Sequence, residues 1–383
     1  MGIDPDLRPD DRGPRGPAAG DPGACDMRFT ITDPRRFAIG LLILAALIVF
    51  PFVVPRPQFW VVSVGLRSLW LGIVAMSVIW LVKSTGMLSL GQLTFWGVSG
   101  YMVAILSTRN DVPYLISLPL SVLIGTAVGF IVALICVRTQ GVYFLMLTLA
   151  VSQLGYFLVL QAASVSGGFE GIGGIVRPEP FGFSFSDRNV LYFVALGLAV
   201  GTYLLCRYIS RTPFGLALEG IRDSPDRMRA LGYNVYWYRV AAFTLASFFA
   251  SVSGMLALFY HGRITPGAVD MLRSIDVLIV SVLGGINSLA GAFIGSTALT
   301  VLQNFSQHPA IPVRRLTLTG LIFVGVLLFM PGGIVGLLDQ ARSGWEKLRG
   351  RKGSGPTRDD QDRSSRQEAA ITEERPNTID RHT

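Results

Sequence analysis

The chain has 383 residues, 51% of them hydrophobic and only 15% charged, with a net charge of +8 and a mean hydropathy of +0.50. Soluble domains carry about 25% charged residues, so this balance excludes an ordinary soluble enzyme. Together with runs of about 20 apolar residues it defines an all-α polytopic membrane protein, with the lipid bilayer as its solvent. The surplus cations lie in short loops and tails beside those runs, as the positive-inside rule arranges them, so no nucleic-acid partner is expected.

Residues 1–26 are rich in Pro, Gly, Asp and Arg and contain no apolar run. They read as a disordered extension rather than a signal peptide, because no h-region follows a basic segment. Met1 and Met27 both remain candidate starts. The membrane domain is expected over 27–338. Its apolar blocks run at 37–54, 61–82, 90–107, 114–137, 142–162, 190–209, 238–260, 276–304 and 314–337. Arg28, Arg35 and Arg36 place the N-terminus in the cytoplasm; Lys83, Arg138 and the stretch 211–234 then fall on the same side, and the 163–188 loop falls outside. Trp237, between Tyr236 and Tyr238, suits an aromatic belt at the cytoplasmic interface.

Nine full crossings would leave Arg342, Lys347, Arg349, Arg351 and Lys352 outside. The glycines of LGGINSLAGAFIG interrupt the 276–304 block, and two short helices meeting there as a hairpin return the basic tail to the cytoplasm. About 8–10 membrane helices are expected on this count, with broken or re-entrant segments among them. Broken helices at membrane depth are tolerated only where they are buried in protein or line a cavity, so Gly284, Gly285 and Asn287 become candidate pathway residues. The alternative is one long glycine-packed helix. Residues 339–383 are polar and aperiodic and read as a disordered cytoplasmic tail.

No metal or redox spacing links Cys25, Cys136 and Cys206, no GxxxxGK[ST] P-loop occurs, and no acid–base or nucleophile constellation is visible. No catalytic residue, metal site or cofactor is therefore assigned to this chain. Small residues at i, i+4 spacing mark helix contacts: Gly125 with Gly129, Ala246 with Ala250 and Gly254, Gly291 with Gly295. Charged groups inside the blocks are scarce, Asp276 alone coming close, which argues against proton-coupled carriage.

Four stretches carry the polar residues. In Gly86–Ala104, Ser89, Gly91, Gln92 and Thr94 stand where a helix is irregular. They serve either a polar solute or interhelical hydrogen bonds. Thr148, Ser152 and Tyr156 share one helix face, which either lines a pathway or joins two helices. Ser166, Gly167, Gly168 and Gly171 belong to a glycine-rich outer loop, flexible or tightly turned. It either meets a soluble partner or merely connects helices. The fourth stretch, Arg211–Asn234, is too charged for hydrocarbon yet reads as helix. Pro213 suits a first turn, Phe214, Leu218 and Ile221 fall at helical spacing, Ser224 and Pro225 break and restart it, and Gly232 caps the second piece. It is either a coupling helix or a solvated loop.

Taken in order, GMLSLGQLTFWGVSGY, GVYFLMLTLA, SGGFEGIGG, TPFGLALEGIRDSPDRMRALGYN, YHGRITPGAVDMLRSIDVLIVSVLGGINSLAGAFIG and MPGGIVGLL resemble the segments of the LivM-type permease subunits of bacterial ABC importers for branched-chain amino acids. The resemblance spans about Val61 to Leu338. Ser166 stands in a threonine's place, Pro225 where Glu or alanine is commoner, and Asn287 and Ser288 where Gly-Thr is frequent. The resemblance implies an ABC importer permease fold in the bacterial inner membrane and transport of leucine, isoleucine and valine. Its partners would be two ATPase subunits that use ATP and magnesium, a second, LivH-type permease and an external substrate-binding protein. It also implies that Pro213, Phe214, Gly215, Leu218, Glu219, Ile221, Arg222, Asp223, Leu231 and Gly232 form the ATPase-coupling segment, with Phe214, Leu218 and Ile221 filling the partner's cleft and Gly215 admitting its surface. Closely similar permeases carry urea or short-chain amides, which is the alternative substrate. An ATP-independent channel or secondary carrier is the alternative of another class.

Overall fold

The computed structural model describes residues 58–110, 112–174, 188–286 and 288–305, with isolated positions between 42 and 51 and between 320 and 336. Residues 1–50 and 51–383 are separate units, and the helices described next belong to the second. The expected tails at 1–26 and 339–383, Asn287, and most of the first and last apolar blocks lie outside the described residues.

A π-helical stretch, Gln58–Leu66, continues without a break into α1 (Arg67–Thr85). There follow α2 (Gln92–Thr108), α3 (Tyr114–Cys136), α4 (Val142–Gln161), the single turn α5 (Ala163–Ser166) and α6 (Arg188–Arg211). Two short helices, α7 (Pro213–Asp223) and α8 (Pro225–Ala230), lead into α9 (Val235–His261), α10 (Met271–Gly284) and α11 (Gly291–Phe305). The six blocks expected from 61–82 to 238–260 each form one helix, and the 276–304 block forms two. Five helical segments are long and apolar enough to cross a membrane among the described residues: Trp60–Thr85, Tyr114–Cys136, Val142–Gln161, Asn189–Arg211 and Val235–His261.

The helix ends follow glycine chemistry. Gly86 and Gly262 adopt the left-handed conformation (φ 72° and 67°) and donate their N–H groups to Val82 and Leu258, capping α1 and α9. The bundle is built on these two helices. The apolar windows of α1 and α9 are each 78% buried, against 28% for α3 and 17% for α4. α9 packs on α1, α2 and α3, and α11 packs on α1.

Close approach depends on the small residues. A Cβ on Gly125 or Gly129 would lie 2.4 Å from Ser251 Oγ or 2.2 Å from Ser247 Cβ, so the GxxxG face of α3 meets the serine face of α9. Gly254 faces the Trp96 carbonyl of α2 just as tightly.

The broken block is a re-entrant hairpin. At about 1.5 Å per residue, α10 and α11 reach roughly 21–22 Å each, short of a hydrocarbon core about 30 Å thick. The hairpin opens toward the Arg67 end of α1, where Arg273 of α10 lines a cavity with Arg67 and α11 is bonded: Asn304 Nδ2 donates to the Ser63 carbonyl, Arg67 to Gln303 Oε1, and Ser296 to the Ser68 carbonyl. Deeper down, Ser281 reaches the Ala75 carbonyl, about halfway along α1. The two helices touch through backbone. A Cβ on Gly284 would sit 2.0 Å from the Gly291 carbonyl oxygen, and one on Gly295 2.3 Å from that of Val280. Gly333, from the last apolar block, lies against Gly285 at the turn. The single long helix is thereby excluded.

Candidate functional site

The polar stretch 211–234 forms two helices, as its pattern predicts, with the break at Ser224 (φ −154°) and Gly232 in the left-handed region (φ 87°). Helix α7 packs against α1, α6 and α9. It is fastened at the Lys83 end of α1, where Arg222 Nη1 donates to the Lys83 carbonyl at 2.8 Å. Arg222 also pairs with Asp223 at 2.9 Å.

The apolar stripe of α7 points the other way from the sequence reading. Leu218 and Ile221 are fully buried in this chain, and Phe214 stacks on Tyr238 at 5.5 Å. Gly215 admits the chain's own α6 corner, since a Cβ there would lie 2.5 Å from the Ile209 carbonyl oxygen. A marginal eleven-residue helix holds its shape only if its apolar face is packed, and α1, α6 and α9 supply that packing. The face left open carries Pro213, Leu216 (61% exposed) and Asp223, with Glu219 half-buried and Leu231 exposed nearby. Leu216 was missed by sequence reasoning, though its place opposite the buried stripe was a usable signal. The aromatic cluster also does more than mark an interface: Tyr238 holds Phe214, and Tyr236 donates to the Leu134 carbonyl at 2.8 Å.

The inner candidates converge where the Gly86–Gln92 break meets α4 and α10. Ser89, Gly91, Gln92, Thr94, Thr148 and Ser152 are all buried. Thr148 accepts from the Leu90 N–H at 3.2 Å, and Ser152 shares a hydrogen bond with Ser274 of α10 at 3.3 Å. That face of α4 joins helices. Beside it, Ser89, Gln92 and Ser274 border a void of about 10 Å³, room for roughly one water. Gln92 has neither amide atom bonded within the described structure. Gly284 and Gly285, buried at the hairpin turn, do not border this void.

A larger cavity, about 340 Å³, lies at the Arg67 end between α1, α2, α9, α10 and α11. Arg67, Arg263, Arg273 and Asp276 line it, with Trp70 and Trp96 (centroids 5.8 Å apart) as an aromatic wall. The sequence reading singled out only Asp276 of these, because Arg67 lies within the 61–82 block, Arg263 and Arg273 lie just outside two others, and they converge only in the fold.

The glycine-rich loop adjoins this cavity and is tightly turned. Ser166 Oγ donates to the Val159 carbonyl and accepts from Gly168 N–H. Gly167, Gly168 and Gly171 all have positive φ. Ile172 and Ile264 exchange two backbone hydrogen bonds at 2.9 Å, and Arg263 donates to the Glu170 carbonyl. Phe169, beside that anchor, is 82% exposed.

Charges inside the blocks escaped the sequence reading, Arg67 within 61–82 and Arg239 within 238–260 among them. Arg239, in the first turns of α9, is buried. It sits close to the helix end, where a long cationic side chain reaches toward the interface.

A buried two-helix centre, a re-entrant hairpin beneath a charged cavity, and an amphipathic helix fastened to the opposite end of the same central helix define a membrane permease. The chain belongs to the family described as the permease component of branched-chain amino acid transport systems, which matches residues 61–331. It is 26% identical over 326 residues to the high-affinity branched-chain amino acid transport system permease protein LivM of Salmonella typhimurium, covering 78% of this chain and 74% of that one. The LivM protein of Escherichia coli K12 matches with the same identity and coverage. A probable branched-chain amino acid transport permease protein LivH of Methanocaldococcus jannaschii is 27% identical over 259 residues, covering 62% of this chain and 77% of that one. The chain is thus a membrane permease of this family, similar to the LivM proteins over most of its length, and the relatives it matches are named as transport permeases.

Proposed function

We propose that this chain is the membrane subunit of an ATP-driven importer that moves leucine, isoleucine and valine into the cytoplasm after delivery by an external binding protein. Two ATPase subunits with their magnesium-bound ATP, and a LivH-type second permease, complete the assembly. Both termini and the Lys83 end face the cytoplasm of a bacterium, and the membrane is its inner membrane. The observation that carries this reading is the mounting of α7. An amphipathic helix that buries its apolar stripe against α1, and is tied to that helix's end by Arg222, passes a push on its open face to the core of the bundle. At the other end, cations for a carboxylate, Asp276 for an ammonium group and tryptophan walls for a branched side chain suit a zwitterionic aliphatic solute. The test is uptake of labelled leucine in the native host with the gene intact, deleted and restored, with and without ATP depletion at constant membrane potential. ATP-dependent uptake that vanishes on deletion and returns on restoration supports the reading. Uptake that survives ATP depletion refutes it in favour of a channel or carrier, and loss of labelled urea uptake instead of leucine moves the substrate to urea.

A further inference from the structure

A second cleft, of about 510 Å³, lies at the Lys83 end between the α3–α4 turn and the start of α9. Arg138, Arg229 and Arg239 line it together with Gln140 and Tyr236, and no Asp or Glu does. Arg229 is partly neutralised by Asp226 at 2.6 Å, through an exposed pair. Arg239 is different. Its residue is only 6% exposed, its Nε has no hydrogen-bond partner among the described residues, and it borders the cleft. A guanidinium cannot shed its charge, and a buried cation without a counter-ion is strongly unfavourable. The N-terminus of α9 adds to the imbalance. Asn234 makes no side-chain cap, so the first N–H groups of a 27-residue helix point toward the same region. Cations and a helix N-terminus converging without an acid make a site for an anion.

The surroundings select its source. Trp237 (53% exposed) stands in the chain between the lining residues Tyr236 and Arg239, and Tyr143 (77%) follows the lining Gln140 by three residues, positions that suit aromatic side chains at the headgroup level. The two spans that end there, α3 and α4, are the least buried in the bundle, and Ile131, Ile135 and Met146 on them are exposed. A molecule whose anionic group enters the cleft therefore has apolar surface to follow along those helices. We infer that this cleft binds the phosphate headgroup of an anionic phospholipid, with Arg239 as the buried counter-charge and Arg138 and Arg229 at the rim. Basic pockets between spans are suited to such headgroups. The inference does not depend on what the protein transports.

The test uses the full-length chain, purified in neutral detergent with whatever subunits accompany it, and three probes: phosphatidylglycerol, phosphatidylcholine with the same acyl chains, and inorganic phosphate. Native mass spectrometry reads retention and thermal unfolding reads stabilisation. Phosphatidylglycerol is expected to be retained over phosphatidylcholine. Retention should fall about fivefold or more in Arg138→Gln, an exposed position that spares the fold, and further in Arg239→Gln. Delipidation should lower the Tm of the wild type but not of Arg239→Gln, where no buried charge is left exposed. Equal retention of both lipids, or retention unchanged in both variants, overturns the proposal. Stabilisation reproduced by inorganic phosphate alone reassigns the cleft to a free anion and also overturns it. So does a cleft that takes no lipid but is protected from arginine-modifying reagent when a soluble subunit binds.

Discussion

Leu216 and Leu218 are two residues apart on α7 and are expected to fail in opposite ways. Leu218 is fully buried within the chain, and truncating such a leucine to alanine destabilises a protein by about 2–5 kcal/mol. Leu216 is 61% exposed. Full burial of a leucine is worth about 1.5–3 kcal/mol, so covering the exposed share on docking is worth about 1–2 kcal/mol. Leu216→Ala should therefore leave the Tm unchanged and weaken association with the proposed ATPase subunits by about 5- to 30-fold. Leu218→Ala should lower the Tm first and lose association only as a consequence. The assay is binding of the purified ATPase subunits to nanodisc-embedded permease, with Tm measured on the same samples. Wild-type binding by Leu216→Ala, together with lost binding by a normally stable Leu218→Ala, would show that the open and packed faces of α7 have been assigned the wrong way round.

Four further outcomes are expected. Gly254→Ala places a methyl 2.0 Å from the Trp96 carbonyl oxygen and forces α2 from α9, destabilising by about 1–3 kcal/mol or more in a thermal unfolding assay. Gly197→Ala, with nothing within 4 Å, should be neutral or stabilising by about 0.5–1 kcal/mol in the same assay. Ser152→Ala and Ser274→Ala each orphan a buried hydroxyl, at about 1–3 kcal/mol, and the double variant should be less destabilised than the sum, as a double-mutant cycle will read. Phe169→Ala removes an 82% exposed side chain beside the charged cavity; the Tm should hold while stimulation of transport by the proposed binding protein falls.

What the sequence revealed and what it hid divide along physical lines. Periodicity and composition report local chain behaviour, so the helices, the restart at Pro225 and the small-residue faces at Gly125, Gly129 and Gly254 were legible. The hairpin was legible because charge parity is a global constraint that a sequence carries openly. Direction was not. The stripe of Phe214, Leu218 and Ile221 specifies an apolar face but not whether that face meets its own bundle or a partner. Convergence was not legible either. Arg67 and Arg273 lie far apart in sequence and share one cavity, and neither position, the first within a block and the second just ahead of another, announces the other. Arg239 was overlooked for a related reason, since a cation at a block edge resembles an interface anchor until its burial is known.

The hairpin of α10 and α11 bears on how the protein comes to be built. Each arm is too short to partition into a bilayer as a span of its own, and the turn between them carries backbone groups that lipid cannot satisfy. Its contacts are to the Ser68 and Ala75 carbonyls of α1 and to the Ser63 carbonyl of the stretch leading into it, laid down more than 200 residues earlier in synthesis. The hairpin therefore has a berth only after α1 is in place. Two acts of biogenesis are then expected: the long helices enter the bilayer, and the short pair is drawn in against them, as an act of folding rather than of insertion.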